Sequence, residues 1–188
     1  MKIKYHVVIF TCALLIIISC KPLHLNRFPG EKITDFPMEF RGEYQPSKSN
    51  NRLLFLGKKN PKDTDMVHIT TNVITIKQKD ETKRFVLDSN CVLSKIGDEY
   101  YVSVNDPVNK KIWYSSYFKL QQNKKLLVYL FYESSPFEYG KYLETAERFV
   151  NDGDTLSLYK VNDSTFNSFV KDYCKQFSPI HLRKTGNP

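Results

Sequence analysis

The sequence predicts a mainly β protein: an antiparallel meander forming a barrel or curved sandwich, with a C-terminal amphipathic helix packed on it. Three observations carry this. Short apolar runs with period-two alternation recur at about 8–12-residue spacing, with turn chemistry between them. One late run, residues 126–132, is apolar on both faces, so a second layer must cover it. After it, Phe166, Phe169, Val170, Tyr173, Cys174 and Phe177 recur at i, i+3, i+4, i+7, i+8 and i+11, the stripe of a helix that buries one side.

The domain opens with Phe40-x-Gly42-x-Tyr44. In a strand the two aromatics face the same way, and the glycine removes bulk where the chain bends or approaches a neighbour. Residues 52–57 form the next apolar run, ended by Gly57 and a polar stretch through Asp63. Residues 66–70 and 73–77 flank Thr71-Asn72, with Val67 and Ile69 on one face and Ile74 and Ile76 on the next. Residues 83–87 and 91–96 follow. Gly97-Asp98 is a turn, answered by residues 99–105 with Tyr100, Val102 and Val104 on one side. Asp106-Pro107 breaks the pattern, and residues 111–120 and 126–132 flank a turn at Gln122-Asn123-Lys124. Residues 137–150 read two ways: Tyr139, Tyr142, Leu143 and Ala146 suit a helix, and Gly140 opposes one. A last strand covers residues 155–161 after Asn151-Asp152-Gly153-Asp154. The helix spans residues 164–177, with Asn162, Asp163 or Ser164 as its N-cap.

Ahead of this domain lies a different kind of segment. From Val7 to Ser19 the chain is almost wholly apolar, entered through Lys2 and Lys4 and closed by Ile17-Ile18-Ser19-Cys20. As a helix this run rises about 20 Å, short of a bilayer core of about 30 Å, so it reads as the apolar region of a signal peptide. With branched aliphatics, a small residue and then Cys20, residues 1–20 resemble bacterial lipoprotein precursors. The resemblance implies cleavage before Cys20 and acylation of its thiol. Two or three acyl chains at about 0.8 kcal/mol per buried methylene make desorption negligible. It implies export and a lipid-held membrane location. Because Lys21 rather than Asp follows the cysteine, it points to an outer rather than an inner membrane where the cell has both. Two competing readings exist. An uncleaved anchor is opposed by the length of the run and by Lys21-Pro22; a secretory signal with an incidental cysteine is opposed by the position of Cys20 directly after Ser19. The expected organisation is signal peptide 1–19, a lipidated tether 20–36 carrying Pro22, Pro29 and Gly30, one β-rich domain 37–178, and a polar tail 179–188. Extended at about 3.3 Å per residue, that tether would reach about 40–50 Å.

Of the 28 Lys and Arg, Lys2 and Lys4 fall in the leader, leaving 26 against 20 Asp and Glu and a net charge of +6. The excess is scattered in pairs, Lys58-Lys59, Lys110-Lys111 and Lys124-Lys125, so no nucleic-acid partner is expected. Solvated loop tips account for such pairs, and attraction to anionic head groups or envelope polymers is the functional alternative. Cys91 and Cys174 remain after Cys12 leaves and Cys20 is acylated. A bridge between them would close a loop of about 84 residues, worth roughly 4–5 kcal/mol in a chain-entropy account. Both positions also read as apolar, where free cysteine packs as a small hydrophobe. With no C-x-x-C, and with His24, His68 and His181 out of ligand spacing, neither a metal nor a cofactor is expected. The chain holds no G-x-S-x-G, S-x-x-K or H-E-x-x-H, and its paired carboxylates sit at turn-like positions, so no catalytic residue is nominated.

Aromatic residues crowd the stretch from Tyr100 to Tyr142. On residues 111–120, Tyr114 and Phe118 oppose Trp113 and Tyr117, so only one set is expected in an ordinary core. Tyr101, Trp113 and Tyr117 are then candidate ligand-facing aromatics at a groove or cavity mouth, suited to sugar rings or acyl chains. The alternative is a sheet packed with aromatics on both sides and under the helix. Residues 36–177, opening with Phe40-x-Gly42-x-Tyr44 and ending in a helix, resemble small lipocalin-like lipoprotein domains, a resemblance that carries over no active site. The expectation is an envelope-anchored lipoprotein that binds an apolar or glycan ligand, or a partner protein, rather than catalysing a reaction. The alternatives are a structural or assembly-accessory lipoprotein without a small-molecule ligand, and an envelope hydrolase.

Overall fold

The computed structural model describes residues 21–47, 66–78, 81–133, 137–151 and 154–185. Three short strands come first: β1 (Lys21–Pro22), β2 (His24–Leu25) and β3 (Glu31–Ile33). A meander follows: β4 (Gly42–Pro46), β5 (Met66–Ile69), β6 (Val73–Gln78), β7 (Glu81–Val86), β8 (Cys91–Ile96), β9 (Glu99–Asn105), β10 (Trp113–Leu120) and β11 (Lys125–Leu130). Beyond β11 lie β12 (Tyr132–Glu133) and the hairpin β13 (Glu144–Asn151) and β14 (Asp154–Lys160). The chain then enters α1 (Asp163–Gln176) and closes on β15 (Ile180–Thr185).

The strands build one sheet in the order β7-β6-β5-β4-β15-β11-β10-β9-β8-β3, antiparallel throughout and curled into a half-barrel. A branch, β13-β14-β2, joins at the start of β10, where Leu25 pairs with Trp113. Alternation along each strand sorts side chains onto two faces. Val102, Phe118, Leu126, Val128, Ile180 and Leu182 fill the half-barrel together with Phe36, Phe40, Tyr44 and Ile69. Tyr101, Tyr117, Leu127 and Tyr129 point the other way, into a second core roofed by α1. The doubly apolar run at residues 126–132 therefore separates two cores, and the amphipathic helix covers its second face as expected. α1 buries Phe166, Phe169, Val170 and Tyr173, each worth about 1.5–3 kcal/mol of transfer free energy. Asn162 caps it, its side-chain oxygen accepting the Ser164 N–H.

The aromatic pair that opens the domain does share one core, though by a different route from a continuous strand. Met38–Phe40 is a 3-10 turn, and the Tyr44 hydroxyl donates to the Phe40 carbonyl at 2.8 Å. Gly42 between them has φ +140, and a Cβ there would lie 2.4 Å from Lys184 Cε.

Two boundaries depart from the sequence-based expectation, and one stretch that read two ways takes a definite form. Residues 21–36 are no tether: Leu23, Leu25 and Phe36 are buried, and β2 pairs with both β10 and β14. Pro22, Pro29 and Gly30 cut this segment into strands of two or three residues, too short for a period to show. Residues 180–185 are no polar tail but a strand between β11 and β4; only Ile180 and Leu182 of its six residues are buried, which left the stretch looking hydrophilic. Residues 137–150 hold a 3-10 turn (Tyr139–Lys141) and then β13, whose place at the sheet edge removes the need for apolar alternation. The apolar run at residues 52–57 lies outside the described residues.

Gly30 shows how tightly the first segment is fitted. Its φ of +73 suits glycine, and a Cβ would fall 2.1 Å from the Lys95 carbonyl oxygen on β8. Gly30→Ala is expected to cost about 2–4 kcal/mol, from left-handed strain plus displacement of β8 backbone. Urea denaturation of the variant measures this, and an unmoved midpoint would mean that β3 does not lie against β8.

Candidate functional site

Cys20 lies outside the described residues, and Lys21 opens β1. From there the N-terminal segment is stitched to the body at each step. Lys21 pairs with Glu133 and Pro22 with Tyr132, and the Leu23 N–H donates to the Phe131 carbonyl at 2.9 Å. The Asn26 N–H donates to the Tyr159 carbonyl, and the Asn26 side chain accepts the Val161 N–H. Arg27 reaches Asp163 at 2.8 Å, and the Gly30 N–H donates to the same carboxylate.

At the centre of this corner is His24, 4% exposed. Its Nδ1 stands 3.8 Å from Glu133 Oε1, and neither buried atom has a hydrogen-bond partner among the described residues. Tyr114 and Phe149 wall the imidazole edge-on, with ring centroids at 5.6 and 5.8 Å. The Tyr114 hydroxyl in turn donates to Asp106 Oδ2 at 2.7 Å. Burial pushes the Asp106 carboxyl up. The Asn109 N–H, the Tyr114 hydroxyl, the Val108 N–H and the His24 imidazole outweigh that and hold it below the usual carboxylate range. Burial, and the carboxylate it bonds, push the Tyr114 hydroxyl up. The corner thus joins the N-terminal segment to β12, with His24 against Glu133. Sequence reading missed it, because its members are distant along the chain; the only local signal was a histidine flanked by Leu23 and Leu25.

The candidate ligand-facing aromatics are not at a groove. Tyr101 and Tyr117 do come together, with ring centroids at 5.6 Å, but α1 seals them. Phe166 meets Tyr101 edge-on, Tyr129 stacks on Tyr117, and both hydroxyls are engaged, Tyr101 with Asn167 and Tyr117 with Glu99. Trp113 sits half-buried against Phe28 at 5.3 Å. Tyr117 lies in the core under α1 and Phe118 in that of the half-barrel, because the sheet is covered on both sides there, while Tyr114 is half-buried against His24. Cys91 and Cys174 are free thiols rather than a bridge. Cys91 packs inside the half-barrel and Cys174, on α1, is partly buried against the second core, so the sheet stands between them. Burial pushes the Cys91 thiol to about 11 and the Cys174 thiol to about 12.

A cleft of about 330 Å³ opens beside the start of α1, lined by Gly30, Glu31, Lys95, Ile96, Gly97 and Asp163. Among the described residues no group of three His, Cys, Asp or Glu is placed to hold a metal ion, and no helix is long and apolar enough to cross a membrane. In comparisons with known proteins, no family model, curated protein or solved structure matches this chain.

Proposed function

We propose that the protein is an exported envelope lipoprotein, held by acyl chains on Cys20, and that it acts by binding a partner protein rather than by catalysis. The observation that carries this reading is the apolar run entered through Lys2 and Lys4 and closed by Ile17-Ile18-Ser19-Cys20. The packing of Tyr101 and Tyr117 under α1, with Phe36, Phe40 and Tyr44 filling the half-barrel, favours a partner-binding or assembly role over carriage of an apolar or glycan ligand. In this proposal the likeness to lipocalin-like lipoprotein domains extends to the curled sheet alone.

Replacing Cys20 with alanine tests the proposal. The wild type is expected to take up labelled fatty acid, to lose its leader and to fractionate with membranes. Cys20→Ala is expected to carry no label and to persist as the full-length precursor. Normal processing of that variant would sink the assignment. Native mass spectrometry of the purified wild type addresses the second half, since a stoichiometric lipid or glycan would favour carriage over partner binding.

A further inference from the structure

We infer that the outer face of the sheet beyond β11 is the partner-binding surface, and that it takes the acidic surface of a protein. This inference rests on the partner-binding reading above. α1 roofs the outer face over Tyr101, Tyr117, Leu127 and Tyr129, on β9, β10 and β11. Past β11 the same face is open: Arg183 on β15, Glu43 on β4, Lys77 on β6 and Arg84 on β7 are all exposed. Their chain neighbours Leu182, Tyr44, Ile76 and Phe85 point the other way, into the half-barrel, so alternation puts the four on one side.

The register gathers cations that the sequence scatters. Lys125 on β11 stands directly opposite Arg183, and Arg183 opposite Gln45 on β4. Across the next strands Glu43 pairs with His68, His68 with Thr75 and Thr75 with Arg84, while Lys77 lies two residues along from Thr75. At about 4.8 Å between strands, the cations span about 24 Å from β11 to β7. Glu43 is the one carboxylate on this face among the described residues. Glu81, on the strand that carries Arg84, lies on the opposite face, 3.4 Å from the Lys83 ammonium. Among the described residues no carboxylate forms an ion pair with Lys125, Arg183, Lys77 or Arg84. Like charges directly opposite one another weaken a ladder, so the Lys125 and Arg183 pair costs the free fold stability and is relieved when an anion lies over it. This is the convex side of a curled sheet. A flat bilayer meets such a surface along few strands at once, whereas a protein surface can be shaped to follow it. Asp and Glu carboxylates supply the complementary charge, and they accept from a guanidinium through both oxygens.

The test titrates the full-length product, purified in detergent, with a fluorescent decaglutamate peptide. Lys125→Glu with Arg183→Glu, and Lys77→Glu with Arg84→Glu, are each expected to weaken binding about ten-fold or more. Lys95→Glu with Lys171→Glu, an equal change of charge elsewhere, is expected to weaken it less than about two-fold. Equal losses in all three variants, or no binding by the wild type, overturn the inference. Capture by phosphatidylglycerol vesicles that the same substitutions abolish, without peptide binding, overturns it in favour of lipid. Arg183→Glu alone exchanges repulsion for attraction across the ladder, so it is expected to raise the urea midpoint while weakening the peptide; undiminished binding by that variant overturns the inference. Photocrosslinking in intact cells separates this failure from that of the partner-binding reading. A photoreactive residue is placed at Thr75, or at Lys32, Lys141 or Lys171 elsewhere on the surface. Protein adducts at Thr75 that Lys125→Glu with Arg183→Glu abolishes are the expected result. Adducts at the other positions alone overturn the face and leave partner binding standing, and adducts at none overturn both.

Discussion

Replacing Phe169 with alanine is expected to lower the unfolding free energy by about 3–5 kcal/mol, and adding Tyr173→Ala to leave little folded protein. Phe169 is fully buried, with its ring 5.1 Å from Phe131, 5.3 Å from Phe166, 5.5 Å from Tyr173 and 5.7 Å from Phe137. Removing it leaves a hole bounded by rigid rings, which cannot collapse to fill it. Tyr173 adds a polar task. Its hydroxyl donates to the Leu130 carbonyl at 2.8 Å and accepts the Tyr132 N–H, satisfying the backbone where the sheet breaks between β11 and β12. Losing it orphans both groups in a buried place. The two positions are in contact, so their effects will not simply add. Urea denaturation followed by circular dichroism measures the loss, and dye binding reports exposure of Leu127 and Tyr129. Lys171→Ala on the exposed face of α1 is the control, expected within about 0.5 kcal/mol of wild type. A midpoint that hardly moved for Phe169→Ala would mean that α1 is not docked on this sheet.

That helix was legible because its period of 3.6 is carried by large residues, and because residues 126–132 lacked a wetted face. The two signals needed each other, and they met in the second core. Parity along β9 and β10 was equally legible: Tyr101 and Tyr117 share a face opposite Val102 and Phe118. What parity does not say is which face is roofed, so two sealed tyrosines passed for ligand-facing ones. The same limit applies to Cys91 and Cys174. Each occupies an apolar position, and nothing local tells that the sheet lies between them. The corner around His24 is the extreme case, assembled from β2, β10, β12, β13 and the loop after β9, its nearest pair, Asp106 and Tyr114, standing eight residues apart. Strands of two residues, such as β1 and β2, lie below the length at which alternation can be read at all.

A chain ending at Pro179 is expected not to fold. β15 is the strand that joins the two halves of the sheet, pairing with β11 from Lys125↔Arg183 to Val128↔Ile180 and with β4 from Leu182↔Pro46 to Thr185↔Glu43. Without it β4, β5, β6 and β7 lose their connection to β11, and Leu126, Val128 and Tyr44 lose the Ile180 and Leu182 side chains packed among them. Two rows of backbone groups would also go unpaired at about 1 kcal/mol for each lost bond. The total approaches the 5–15 kcal/mol that holds a typical domain together. Leu182→Ala gives the graded version, an expected loss of about 2–5 kcal/mol that urea denaturation can resolve. Removing only residues 186–188 leaves every described pairing in place and serves as the control. Near-ultraviolet circular dichroism decides the matter: a truncated chain with wild-type signal and a cooperative transition would show that the half-barrel closes without β15.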